Sequence, residues 1–570
     1  MRIATIVFLI FITSNLVAQR GKDGSGTVSG AGTIVNEYTA LTADASAGVT
    51  AIFVASNNLN ANARFTAPLA AGDLVLIYQA QGATINGILH PTFLDVCSPN
   101  DITWGSINSL ANAGNYEFIE VTGTTGGSII NLRCGLVNSY TSAGNVQVIR
   151  VQRYTDLTIT GAGTLIAEGW AGSTGGIVAV EVEGNTIVDG AIDVSGLGFR
   201  GGLADGSSSA TEYNSNWHAG TTSDKGGAKG EGVIGDWADY DLVGGRFAKG
   251  AIGNGAGGGS AHNAGGGGGG NASSGTYTWS GVGIPDFVTG SYGTAFALEG
   301  LVPGMESSGG GRGGYAWSTN ANNPLTVAPG NGAWGGHNRE SIGGYGGRDL
   351  DYSSGKIFFG GGGGGGHEND NQGGDGGDGG GLVFVYSYGT ISGAGSILAN
   401  GADGQGSDYT SAGLGQVANK DGSGGAGAAG GIILSSPASI SLANMIADGG
   451  DGGNQVLDFG TFASGNEAEG PGGGGSGGYV GTSGTTGTST VIGGRFGTSN
   501  AATLSSFIPN GATSGDNGLI ETNPFTGSSL TVPNDTICTG NTGTLTASGS
   551  PEMGSTITWY DATWNQVGTG

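Results

Sequence analysis

Glycine runs constrain this chain more than any other feature. Residues 360–366 are seven consecutive glycines, residues 265–270 are six, and 127 of the 570 residues are glycine. A segment without side chains contributes only backbone, so its N–H and C=O groups must find partners or face water. Only 13 prolines accompany the glycines and no strict Gly-X-Y period runs through them, which excludes a collagen triple helix. Disorder fits no better. Disordered chains are charged and poor in aromatics, whereas this one is 37% hydrophobic and 11% charged, with 9 Trp, 17 Tyr and 18 Phe.

An internal repeat gives the glycines a setting. "TITGAGTLIAEGWAG" from Thr158 matches "TISGAGSILANGADG" from Thr390, and "SISLANMIADGGDG" from Ser439 follows the same plan more loosely. The lead-ins "GGGLVFVYSYG" and "AGGIILSSPA" precede the last two, and "TGGIVAVEVEGNTIVDGAIDVSGLG" from Thr174 repeats the two-strand phrase. Such short strands bury no core alone but do so when coils stack, so the repeat predicts an all-β parallel β-helix or related solenoid over 155–520. Leu382, Val385, Ile391 and Ile397 are expected to face one core with Ile177, Val180, Ile187, Ile432 and Ile440. Glycine would serve the corners, where φ is positive, and the close approach of coils.

Residues 201–380 interrupt the repeat with segments such as "GNGAGGGSAHNAGGGGGGNASSG". Two readings stay open: long loops decorating the solenoid, or extended three-residue-per-turn helices packed side by side and hydrogen-bonded to one another. In composition the interval is similar to glycine-rich phage adhesins and to the glycine-rich region of some receptor tyrosine kinases, where such bundles occur.

Residues 1–19, "MRIATIVFLIFITSNLVAQ", carry one Arg, an apolar stretch and a polar turn before Leu16-Val17-Ala18, which is the pattern of a secretory signal. The apolar run is short of the ~20 residues that a membrane span needs, so no span is expected in the mature chain. A formal charge of −26 argues against a nucleic-acid partner. It suits a secreted surface protein and leaves carboxylates available for Ca²⁺. Of the three cysteines, Cys97 and Cys134 can pair in an oxidising compartment, leaving Cys538 without a nearby partner.

Candidate chemistry is sparse. "GGDGGNQVL" from Gly449 fits the calcium nonapeptide pattern and "GGDGGDGGG" from Gly373 fits its first half, which makes Asp375, Asp378, Asp448, Asp451 and Asn454 the candidate Ca²⁺ ligands. Solitary copies equally suit Gly-Asp turns. Ser476 in "GGSGG" and Ser353 in "SSGK" match nucleophile motifs literally, yet no helix pattern follows Ser476. The five histidines, His90, His218, His262, His337 and His367, show no metal-ligand spacing. Arg348, Asp349, Asp351 and Lys356 form the best local cluster for a polysaccharide lyase or hydrolase, with a loop salt bridge as the plainer alternative. Trp217, Trp237, Trp279, Trp317 and Trp334 could stack on sugars but are expected mainly to pack.

Residues 26–154 read as a separate β domain, with strands such as "VTAIFVAS" and "GDLVLIYQAQGATI". The phrases "LAAGDLVLIYQAQGATI" and "NVQVIRVQRYTDLTI" resemble large secreted surface proteins of Bacteroidetes-type bacteria. Residues 530–570, with "TLTAS", "TITWYD" and Trp559, resemble the first strands of an immunoglobulin-like module. A full sandwich takes about 100 residues, so the segment is expected to be the opening of a longer protein. The resemblance implies a cell-surface protein exported by a type IX-like route. The expected function is therefore a secreted, adhesin-like, non-enzymatic scaffold that presents loops to a surface glycan or protein. The alternatives are a polysaccharide-active β-helix enzyme and a carbohydrate-binding module of a larger enzyme.

Overall fold

A computed structural model describes residues 20–87, 103–206, 216–220, 226–260, 262–274, 309–315, 343–368, 372–407, 421–456, 469–484, 487–501, 508–522, 558–560 and 566–569. The fold is all-β: among these residues the α-helix Trp237–Leu242, capped by Asp236, stands against more than twenty strands. Residues 1–19 lie outside the description, as does most of 530–570. Within the latter, Thr558–Tyr560 and Gln566–Thr569 pair antiparallel.

The repeat forms a parallel stack. In the first sheet Ile177–Val182, Leu382–Ser387, Gly431–Ser435, Tyr479–Thr482 and Leu519–Thr522 pair in that order, each parallel to the next. A tight turn carries each of the first three coils into the second sheet, where Thr186–Val188 and Ala191–Asp193, Ile391–Leu398 and Ile440–Ile446 stack likewise and Thr488–Thr490 of the fourth coil continues the stack. In the first sheet Ile177–Val182 and Leu382–Ser387 are buried on both faces, which is why they read as unbroken apolar runs rather than as alternation.

That double burial corrects the single expected core. Val180, Val385, Ile391, Ile397, Ile432 and Ile440 do share the core between the two sheets. Ile177 and Leu382 occupy the opposite face, with Phe358, Phe359 and Tyr386, because successive side chains of a strand alternate. Ile187 points outward and is 37% exposed, while Thr186 and Val188 on either side of it point in. The first strands of the matching phrases stack with a two-residue offset, Leu157 and Thr186 aligning with Ile391 where the text aligns Ile159, whereas the second strands keep the register of the text, Leu165 and Ile192 aligning with Ile397. An offset of two keeps the inward face inward. Ile391→Asp should place an unpaired charge in the central core and abolish the cooperative melt of the stack; an unchanged melting temperature would remove Ile391 from that core.

The N-terminal β domain is continuous with the stack. Val146–Tyr154 pairs antiparallel with Leu74–Gln79 and with Glu37–Ala40, then parallel with Ile177–Val182. The expected division at 154/155 is crossed twice more, since Gly26–Val28 and Thr33–Ile34 pair parallel with Leu157–Ile159 and Thr164–Ile166. The domain thus seals one end of the solenoid, where a bare parallel edge would invite association.

The glycine runs adopt the packed-helix arrangement, not loops. Gly360, Gly363 and Gly366 donate to the carbonyls of Gly380, Gly377 and Gly374; Gly361 and Gly364 donate to Gly270 and Gly267; Gly362 and Gly365 donate to Glu231 and Ala228. Every third residue addresses the same neighbour, which is the signature of an extended helix of three residues per turn with no internal hydrogen bonds. Fourteen such segments pack side by side among the described residues: 198–204, 226–232, 253–259, 264–271, 309–315, 343–350, 357–366, 373–381, 399–407, 421–430, 447–456, 469–478, 491–501 and 508–518.

Segment 264–271 shows the lattice. It donates to 309–315, 421–430 and 253–259, and accepts from 343–350, 469–478 and 357–366, so six neighbours surround it. Segments 357–366, 421–430 and 469–478 are interior in the same way. In these four segments residues 265–270, 360–366, 422–430 and 470–478 are only Gly, Ala, Ser or Pro, because a lattice this close leaves little room beyond the backbone. The runs 265–270 and 360–366 contain no glycine of positive φ, so corner geometry does not explain them. Outer segments instead place a side chain at every third position, as Tyr345 and Arg348 or Asp375 and Asp378 do.

Candidate binding end of the bundle

Chain direction sorts the ends of the bundle. Segments 373–381, 421–430 and 469–478 run into first-sheet strands, and 399–407, 447–456 and 491–501 run out of second-sheet strands. Segment 264–271 is parallel to 421–430, because Gly266 and Gly269 donate to Ser423 and Ala426, and it is antiparallel to 253–259, 309–315 and 357–366. Each outgoing segment is therefore followed by a returning one. Among the described residues all seven outgoing segments end at the pole remote from the strands, at Gly206, Ser260, Tyr315, Glu368, Ser407, Val456 and Ala501, and their returning partners begin there. The join across 351–356 falls at the strand end, while in the join after 226–232 Phe247 and Ala248 run back beside Ala228 and Gly258.

Polar side chains close the helices at the far pole. The Gln372 N–H donates to Asp421 Oδ2 at 2.8 Å, the Glu469 N–H to Gln455 Oε1 at 3.0 Å, and Asn510 Nδ2 to the Glu469 carbonyl at 2.8 Å. This ring of amides and carboxylates satisfies backbone groups where the lattice stops, and it holds the points from which each crossing departs.

The five candidate Ca²⁺ ligands are spread along outer helices rather than gathered. Asp375 and Asp378 accept the N–H groups of Ala204 and Gly201, each at 2.7 Å. Asp448, Asp451 and Asn454 accept those of Ile492, Arg495 and Thr498, at 2.7, 2.7 and 2.8 Å. Asn400 and Asp403 do the same for Asp448 and Asp451, so the three-residue period forms a ladder of side-chain caps. Among the described residues no three His, Cys, Asp or Glu are disposed to hold a metal. Adding Ca²⁺ or a chelator should leave the melting temperature nearly unchanged; a rise of about ten degrees with Ca²⁺ would show that ions hold the folded form.

The Arg348 cluster does not converge. Arg348 is buried, donating to the Ala251 and Trp104 carbonyls, Asp351 is exposed and accepts the Ser353 N–H, and Lys356 donates to the carbonyls of Ala111 and Ala113 and to Asn115 Oδ1. Ser476 lies buried inside an interior glycine helix and Ser353 in an exposed turn, so neither sits on a nucleophile elbow. Burial pushes Lys356 and Lys249 down to about 8. Their folded pKa lies below the unfolded one, so the unfolded chain binds more protons between about pH 8 and 10.5, and stability from these groups rises with pH across that window. Lys356→Met should flatten the rise measured by denaturant melts.

Aromatics and cations share one flank. Trp217 is buried and its ring centroid lies 4.5 Å from that of Tyr345, while the half-buried Trp237 has the Arg200 and Arg246 guanidinium groups 5.0 and 5.5 Å from its ring. Lys229, wholly buried, donates to the carbonyls of Trp217, Ala248 and Gly250, and burial holds its pKa well below the usual lysine range. Packing is thus the work of Trp217, as expected; Trp279, Trp317 and Trp334 lie outside the described residues, as do His90 and His337. Cys134 is disulfide-bonded, and its expected partner Cys97 also lies outside them. No described helix is long and apolar enough to cross a membrane.

No protein family and no curated protein matches the chain. Solved structures with some likeness include three phage tailspikes. The tailspike gp61 of Pseudomonas phage phi297 is 14% identical over 30% of this chain and 24% of its own, with a TM-score of 0.13. The Gp54 tailspike of Acinetobacter baumannii bacteriophage AP22, solved with a capsular saccharide, is 10% identical over 30% of each chain at the same score of 0.13. The tailspike gp49 of Pseudomonas phage LKA1 is 12% identical over 83% of this chain and 66% of its own, again at 0.13. The chain spans less than a third of the length of the first two. At such scores the likenesses carry neither fold nor function for this chain, and the all-β class stands on its own strand pairings.

Proposed function

We propose that this chain is a secreted surface scaffold that presents one pole of a rigid glycine bundle to a surface glycan or protein. The observation that carries the reading is that all seven outgoing segments among the described residues end, and their returning partners begin, at that pole. Rigid elements that position variable connections are how binding loops are commonly built. The leader-like residues 1–19 and the acidic charge support export to a cell surface, and the separate engagements of Arg348, Asp351 and Lys356 favour binding over cleavage.

A glycan panel with product analysis tests the proposal. Binding without new reducing ends or unsaturated sugars is expected. Replacing 408–420 and 457–468 by short Gly-Ser linkers should weaken binding while the melting temperature holds. Cleavage products would favour a β-helix enzyme instead, and undiminished binding by the linker variant would move the contact surface off the far pole.

A further inference from the structure

Each coil of the solenoid builds the central core from two facing walls, and among the described residues the fifth coil has one. Ile432, Val480 and Ile520 stack in register along the first sheet. Ile432 and Val480 are buried against the second sheet, whereas Ile520 is 47% exposed. The second sheet stops one coil short, at Thr488–Thr490. Its backbone ladder stops there too. Val194 donates to the Leu398 carbonyl at 2.9 Å, Ala399 to that of Ile446 at 2.9 Å and Ala447 to that of Thr490 at 3.0 Å. Val491 is the next member of the series, and its N–H meets no backbone carbonyl among the described residues although the residue is only 8% exposed. A backbone donor held at that depth calls for a partner.

We propose that this chain's own Leu530–Val532 adds in parallel to Thr488–Thr490 as the facing wall of the fifth coil, with Leu530 beside Ser489 and Val532 beside Val491. The sequence carries the register: "TSTVIG" (488–493) and "SLTVPN" (529–534) share Thr-Val at 490–491 and 531–532. The inward positions of this wall are Met445 and Ala447 in the third coil and Ser489 and Val491 in the fourth, so Leu530 and Val532 take the same face and cover Ile520. The Thr531 carbonyl then accepts the Val491 N–H, as that of Thr490 does for Ala447. Seven residues join Thr522 to Leu530 where six join Thr482 to Ser489, so the crossing is long enough.

The side-chain ladder on the outer face ends at the same rung. Asn400 Oδ1 accepts the Asp448 N–H, and Asp448 Oδ1 accepts the Ile492 N–H. Ile492 has no acceptor to offer, and the residue that this register sets above it is Pro533, which has no N–H to donate. Donor and acceptor are given up together. The solenoid then extends to Val532, and the segment expected to open an immunoglobulin-like module begins no earlier than Pro533. A strand tethered so near its site also closes the second-sheet edge to another copy of the chain, which would have to displace it.

Cysteine pairing in the full chain tests the register, with Cys538→Ser as background. Thr490→Cys with Thr531→Cys places two outward side chains on neighbouring strands about 4.8 Å apart, within reach of a disulfide. Mild oxidation and peptide mass mapping without reduction should find that bridge within one chain. Thr490→Cys with Val532→Cys, on opposite faces, should not close. Hydrogen exchange gives a second readout: Leu530→Asp combined with Val532→Asp should speed exchange of the Val491 N–H by about tenfold or more, and Leu545→Asp should leave it unchanged. A bridge between two chains would seat a second copy on the edge instead. That result, equal closure of both cysteine pairs, or unchanged exchange at Val491 in the double Asp variant would overturn the proposal.

Discussion

Gly268→Ala should destabilise the protein by about 3 kcal/mol or more, read as a large fall in melting temperature and in denaturant midpoint. Its added Cβ would stand well inside 3.0 Å of the Gly474 carbonyl, and every atom crowding it is backbone. No rotamer change relieves such a clash. The helix could yield only by shifting against its six neighbours, which would lengthen hydrogen bonds in several directions at once. Gly484→Ala is the matched control, because its Cβ would meet nothing within 4 Å; it should stay within about 0.5 kcal/mol of the parent. Equal effects at the two positions would refute the lattice as the reason for the glycine.

Glu231→Ala should cost about 3–5 kcal/mol, because it strands several donors at the seam between the β domain and the bundle. The carboxylate is fully buried and accepts from Gln81 Nε2, Trp170 Nε1, the Arg200 N–H and Arg200 Nε. Arg200 reaches solvent with about a third of its side chain exposed, so the loss falls mainly on the buried donors. Glu231→Gln keeps the shape and part of the hydrogen bonding and should recover a good part of the loss. A Glu231→Ala variant that melts like the parent would mean the seam is held by apolar packing alone.

The two-strand coil was legible in the sequence because its apolar runs and glycine turns recur in the text. Which face each residue takes was not. Ile177 and Ile187 look alike as letters, and only double burial of one sheet and the solvent-facing side of the other separate them. The bundle was half legible. Its period of three is written in "GGYGGRDL", "GGGRGGY", "GGDGGDGG" and "DGGDGGN", where the third residue is the one facing out of the lattice. The last two also fit a calcium repeat, and a local motif cannot reveal that an Asp side chain caps the N–H of a helix some forty residues away. The meeting of His262 with His367 at the far pole, their ring centroids 6.2 Å apart, had no sequence signal at all, since it depends on two crossings separated by about a hundred residues.

Because each excursion starts and finishes at the strand side, the lattice can enlarge only in twos. One outgoing and one returning helix separate each later pair of coils, but eight helices, four such twos, stand between Asp193 and Leu382. The neighbouring strands are unaware of the difference: Ile177 pairs with Leu382 as regularly as Leu382 pairs with Gly431. A lone added helix would deliver the chain to the wrong pole and reverse the next strand. Length variation in relatives of this protein should therefore come in even steps, with whole hairpins of glycine helix gained or lost and the strand ladder left untouched.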